Sequence, residues 1–98
     1  MSFVQIIEYT TSREDEVEAL LKETLAATEG RRASGRALRC SDRDKPDTYI
    51  NIVEFPSYEE AMKNSQLPEI QAMAERMAKL CDGPPIFRNL DIIETVER

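Results

Sequence analysis

Hydrophobic positions along the 98-residue chain fall into six periodic runs. Phe3–Tyr9 alternates in the manner of a strand. Ser12–Glu29 carries Val17, Leu20, Leu21, Leu25 and Thr28 at helical spacing, one apolar stripe on an otherwise polar helix. Two strand-like runs come next, Ala37–Ser41 and Thr48–Phe55. A second helical block, Ser57–Cys81, leads to a last strand over Ile86–Val96. The order β-α-β-β-α-β is the split βαβ or ferredoxin-like arrangement, an α+β fold. It predicts a four-stranded antiparallel sheet with both helices on one face, formed by a single domain spanning 1–98.

Local signals set the boundaries. Thr11-Ser12-Arg13-Glu14 reads as a capping box, with Glu14, Asp15 and Glu16 at the positive end of the helix dipole. Gly30 ends that helix. The basic stretch Arg31 to Arg36 admits two readings, an anion-binding loop or a solvated connection into an edge strand, and the second is preferred. Ser41-Asp42-Arg43-Asp44-Lys45-Pro46-Asp47 is a polar turn that makes a hairpin of the middle strands; it lacks the Gly and terminal Glu of a calcium loop. Ser57-Tyr58-Glu59-Glu60 is a second capping box. Asn64-Ser65-Gln66-Leu67 interrupts the helical block, and Pro68 fits the first turn of the next helix. In that helix Ile70, Met73, Ala74, Met77, Leu80 and Cys81 form an apolar stripe, with Met62, Met73 and Met77 read as packing residues. Gly83 and Pro84-Pro85 stop it.

Period-2 alternation divides each strand into two faces. Val4, Ile6 and Glu8 share one face of the first strand, and Ile50, Ile52 and Glu54 one face of the third. These β-branched sets are expected to lie under the helices, joined by Arg88, Leu90, Ile92 and Glu94. Glu8 and Glu54 then sit near the strand ends, paired with Arg or with backbone donors. Phe3, Gln5, Ile7, Tyr9, Tyr49, Asn51, Val53, Phe55, Phe87, Asn89, Asp91 and Ile93 are expected to face away from the helices. Such a patch on a monomer marks an interface. Its amides and phenols either satisfy one another across a dimer or line a small-molecule pocket, and both readings need a second copy.

Composition narrows the chemistry. The net charge is −6, with 13 Lys and Arg against 19 Asp and Glu, which disfavours nucleic acid and anionic membrane surfaces. No apolar run is long enough to span a bilayer, and the N-terminus has no secretory pattern, so the expectation is cytoplasmic. There is no His and no Trp. The first absence removes every His-dependent triad, His metal site and imidazole haem ligand, and no metal site is expected. The two cysteines, Cys40 and Cys81, are read as buried, reduced, structural thiols.

The segment Asp47-Thr48-Tyr49-Ile50-Asn51-Ile52-Val53-Glu54-Phe55, then Ser57-Tyr58-Glu59-Glu60-Ala61 and Pro68, resembles the antibiotic biosynthesis monooxygenase domains of the dimeric α/β-barrel superfamily. The shared pattern is a strand ending in Val-x-Glu-aromatic, a Ser-x-Glu-x-Ala helix start and a Pro a few residues on. The resemblance implies a homodimer whose sheets pack into a barrel through the faces opposite the helices. It also implies a cofactor-independent monooxygenase acting on an aromatic or polyketide-like substrate. Haem degradation is not expected without His and Trp. Met62-Lys63-Asn64-Ser65 stands where the family usually carries a His, a departure from its pattern. The candidate ligand-binding set is Gln5, Tyr9, Tyr49, Asn51, Phe55, Asn64 and Asn89, with Asp91 and Tyr49 as candidate catalytic groups. The alternative is a non-catalytic dimer that binds a small apolar or aromatic ligand or serves only to dimerise.

Overall fold

The computed structural model describes residues 2–33 and 35–97. Ser34, in the basic stretch, lies outside them. Four strands and three helices succeed one another as β1 (Phe3–Thr10), α1 (Glu14–Ala27), β2 (Ala37–Ser41), β3 (Thr48–Phe55), α2 (Tyr58–Ser65), α3 (Pro68–Leu80) and β4 (Ile86–Asp91). The strands form one antiparallel sheet in the order β2-β3-β1-β4. This is the ferredoxin-like α+β topology that the periodicities predict.

The second helical block is two helices because Leu67 is extended (φ −61°, ψ 131°) ahead of Pro68, which opens α3. A residue before proline is pushed out of the helical region. The Ser57 hydroxyl caps α2 by accepting from the Glu60 amide at 3.1 Å, as the capping box predicts. The first box does not form. The Ncap of α1 is Arg13, and no side chain caps the helix. Thr11, fully buried, instead accepts from the Arg13 amide at 2.9 Å and donates to the Leu80 carbonyl at 2.6 Å. Its hydroxyl thus ties the start of α1 to the end of α3. Beyond α1 the chain turns at Gly30, whose φ of +81° is open to glycine without steric cost. β4 stops at Asp91 rather than Val96, and beyond it the Ile92 amide bonds the Ser2 carbonyl.

The face assignment is reversed relative to the sequence expectation. Phe3 and Tyr9 are each 2% exposed and Phe55 is 5% exposed, all packed on the helix side. Tyr9 joins Val17, Leu20 and Met77 in one core cluster, with Tyr49, Met73, Leu80 and Cys81 against it. Phe3 and Phe55 join Ala61 in a second, under α2. Val4, Ile6, Glu8, Ile50, Ile52 and Glu54 occupy the opposite face. Both faces are apolar, so alternation alone cannot tell which one the helices cover, and a one-residue displacement exchanges them. Size decides it: aromatic side chains remove far more area from water than Val or Ile, and only they reach across to the helices. Paired aromatics close the two ends of the sheet, with Tyr9 stacked on Tyr49 at 5.6 Å between centroids and Phe3 against Phe55 at 6.3 Å.

The strand register builds the open face as rows: Leu90, Val4, Glu54; then Arg88, Ile6, Ile52, Leu38; then Ile86, Glu8, Ile50, Cys40. No element among the described residues covers it. Glu54 there pairs with Arg36 at 2.9 Å. Cys40 is exposed on the edge strand, contrary to the expected burial, while Cys81 is half-buried, its thiol pKa raised by desolvation.

Candidate functional site

Between the tyrosine end and the phenylalanine end, the sheet and helices part to leave a cavity of about 380 Å³. That is within the size range of small-molecule sites. Its floor is the middle of the sheet: Gln5 and Ile7 from β1, Asn51 and Val53 from β3. Its roof is Leu21 and Leu25 of α1 with Ile70 and Met73 of α3. The opening explains Leu25, which the helical stripe marks for the core but which is 48% exposed: it faces the cavity, and Thr24 is buried in its place. Arg32, Phe55 and Asn64 line the cavity as well. Gly35 and Arg36 both bond to Glu54, through Gly35 N to Glu54 O (2.7 Å) and Glu54 N to Arg36 O (2.9 Å). Two residues opposite one is a β-bulge, and Gly35 within it lines the cavity.

The polar groups in this lining divide into those already partnered and those not. Thr24 and Thr28 donate their hydroxyls back to Leu20 O and Thr24 O. Gln5 Nε2 donates to Asn89 Oδ1 at 3.2 Å. Asn64 Oδ1 accepts from the Ala33 amide at 3.1 Å, which fastens the basic segment to α2. At the rim Glu18 is held by Arg39 (3.2 Å) and Lys22 (3.6 Å). Two lining atoms are buried with no partner among the described residues, Asn51 Oδ1 and Arg32 Nε. Buried polar atoms are rarely left unpaired, and these two present an acceptor and a donor in one lining.

Of the residues singled out from sequence, Gln5, Asn51, Phe55 and Asn64 are brought together here. Tyr9 and Tyr49 are not: they belong to the core stack beyond one end of the cavity. Burial and the neighbouring Glu14 charge push the Tyr9 phenol up to about 12, so it remains a neutral donor to Glu14 Oε1 (3.4 Å). Burial also raises the Glu14 carboxyl, against the opposing effect of Arg39 at 3.3 Å. Asn89 and Asp91 line a separate surface cleft with Phe3, Tyr58 and Glu59, and Asp91 is exposed on the edge strand. Arg32 escaped the sequence reading as an individual residue. The basic run was visible, but which of its arginines turns inward depends on the bulge and on Asn64.

No cluster of His, Cys, Asp and Glu among the described residues has the arrangement of a metal site, and no helix is long and apolar enough to cross a membrane. No family model matches the chain, and no curated protein matches it in sequence. Solved structures do match in three dimensions. The cofactor-independent oxygenase SnoaB from Streptomyces nogalater superimposes with a TM-score of 0.82 at 16% identity, over 99% of this chain and 98% of that one. Rv0793 from Mycobacterium tuberculosis gives 0.82 at 11% identity, over 99% and 100%. An antibiotic biosynthesis monooxygenase gives 0.76 at 16%, over 96% and 100%. The chain has the ferredoxin-like fold of the antibiotic biosynthesis monooxygenase structures along essentially its full length.

Proposed function

We propose that this protein is a cofactor-independent monooxygenase acting on an aromatic, polyketide-like substrate, and that it works as a homodimer. The observation that carries the reading is the apolar cavity whose sheet floor holds the unpaired, buried Asn51 Oδ1. The likeness in fold to SnoaB, a cofactor-independent oxygenase, supports it. A fused-ring phenol would lie between the aliphatic roof and floor, its hydroxyl donating to Asn51 Oδ1, which orients the ring in the cavity. Gln5, already oriented by Asn89, borders the same floor. A ring carbanion or enolate is electron-rich enough to reduce dioxygen directly. For an anthrone the balance is a ring methylene plus O₂, giving a ring carbonyl plus H₂O.

The second copy would cover the open sheet face. Its rows of Val4, Ile6, Leu38, Ile50, Ile52 and Leu90, with Glu8, Glu54 and Arg88 among them, make a largely apolar surface of the kind that marks an interface.

The test is oxygen uptake by the purified protein with anthrone as substrate, against Asn51→Ala and a no-protein control. Uptake that depends on Asn51 is expected, with the ring ketone as product. Ligand binding without uptake would replace the enzyme reading with that of a non-catalytic binding protein. That second reading is favoured by one feature, the pairing of Glu18, the one carboxylate of the described lining, with Lys22 and Arg39.

A further inference from the structure

Four arginines lie within nine residues of one another between α1 and the middle of β2, and three of them are neutralised. Arg31 pairs with Glu69 at 2.6 Å, Arg36 with Glu54 at 2.9 Å, and Arg39 with Glu14 and Glu18 at 3.3 and 3.2 Å. Among the described residues Arg32 has no carboxylate partner, and its Nε is buried without an acceptor. It also lines the apolar cavity, as Arg39 does. The other charges of the lining, Glu18, Lys22 and Arg39, bridge one another at the rim. Arg32 is therefore the one uncompensated charge of the described lining, in a protein whose net charge is −6.

A guanidinium half removed from water with no counterion is a destabilising arrangement unless something completes it. The group that matches an Nε–H donor in a low-dielectric wall is an oxyanion, because charge-assisted hydrogen bonds are about twice as strong as neutral ones. Resting on the proposed small-molecule pocket, we infer that the ligand is bound as an anion, with a carboxylate, phenolate or enolate oxygen on Arg32 and its ring between Leu25, Ile70 and Met73. Arg32 then selects ionised ring compounds over neutral ones of the same shape. In an oxidation by direct electron transfer to O₂, it also favours the ionised, reactive form of the substrate, as a positioning and charge-stabilising residue.

The test uses calorimetric titration with 2-naphthoate and 2-naphthamide, which share a ring and differ in charge. Wild-type protein is expected to bind the naphthoate at least about tenfold more tightly. Arg32→Met should lose that preference and leave the naphthamide affinity unchanged. Arg32→Lys, which keeps the charge without the planar fork, should retain part of it. Arg31→Met removes the same charge from the neighbouring, paired position and should leave both affinities as they are. Equal wild-type binding of the two ligands would overturn the inference without any variant being made. So would a naphthoate affinity that falls equally in Arg31→Met and Arg32→Met, since that is bulk charge rather than contact. Binding of neither ligand would overturn the inference and the pocket reading together. If anthrone gives no oxygen uptake while the Arg32-dependent preference stands, the oxygenase reading alone falls.

Discussion

Asn51 offers the sharpest separation of stability from function. Its Oδ1 is buried with no hydrogen-bond partner among the described residues, and the residue lies between Ile7 and Arg39 across the strand pairing. An unsatisfied buried acceptor costs about 1–3 kcal/mol. Asn51→Leu places an apolar group of similar branched shape, though larger, on the open cavity floor beside Ile7 and Val53 and removes that cost. The variant is expected to be more stable than wild type by about 1 kcal/mol, which raises the melting temperature by about 4–8 °C in a domain of this size. It should also lose ligand. A substrate hydroxyl left without its acceptor forfeits about 1–3 kcal/mol, or roughly 5- to 150-fold in affinity. Thermal unfolding measured by circular dichroism gives the first quantity, and titration with a fused-ring phenol gives the second. A variant that melts below wild type would show that Asn51 is satisfied in solution and holds the sheet together. A variant that binds the phenol as well as wild type would remove Asn51 from the site.

Other expectations rest on different parts of the molecule. Thr11→Val breaks both hydrogen bonds that join the start of α1 to the end of α3. It should destabilise the fold by about 1–3 kcal/mol, measured by urea unfolding, and an unchanged midpoint would refute the bridging role. Tyr9 keeps its proton up to about pH 12 in the folded state, against 10.0 ordinarily. The unfolded chain therefore releases this proton first as pH rises, and the raised pKa erodes stability through that window rather than adding to it. Tyr9→Phe should show a shallower alkaline loss of stability than wild type, and an equal slope would place the titration elsewhere. Ile52→Lys sets a charge at the centre of the open sheet face. It should convert the proposed dimer to a monomer in sedimentation velocity, and a wild-type mass would show that this face is not the interface.

The chain's own pattern determined the order of elements, the breaks between them and the antiparallel sheet. Local rules govern each of these: Ser57 caps α2, Pro68 opens α3, and Gly30 turns the chain after α1. The same rules failed at Thr11, whose hydroxyl accepts from the Arg13 amide and donates to the Leu80 carbonyl, 69 residues away, while α1 starts after Arg13 with no side-chain cap. The strand partition into two residue sets was also legible, and so was the membership of Gln5 and Asn51 in one set. Which set lies under the helices was not. Both sets are apolar, and the choice depends on how far a side chain must reach to fill the space below α1 and α3. Only the assembled layers decide that, in favour of Phe3, Tyr9, Tyr49 and Phe55. The tertiary structure likewise divided the candidate site, keeping Gln5, Asn51, Phe55 and Asn64, moving Tyr9 and Tyr49 into the core, and leaving Asn89 and Asp91 to a surface cleft. It also added Arg32. Nothing in a run of basic residues says which one lacks a carboxylate, because its neighbours' partners, Glu69, Glu54, Glu14 and Glu18, are supplied by other elements of the fold.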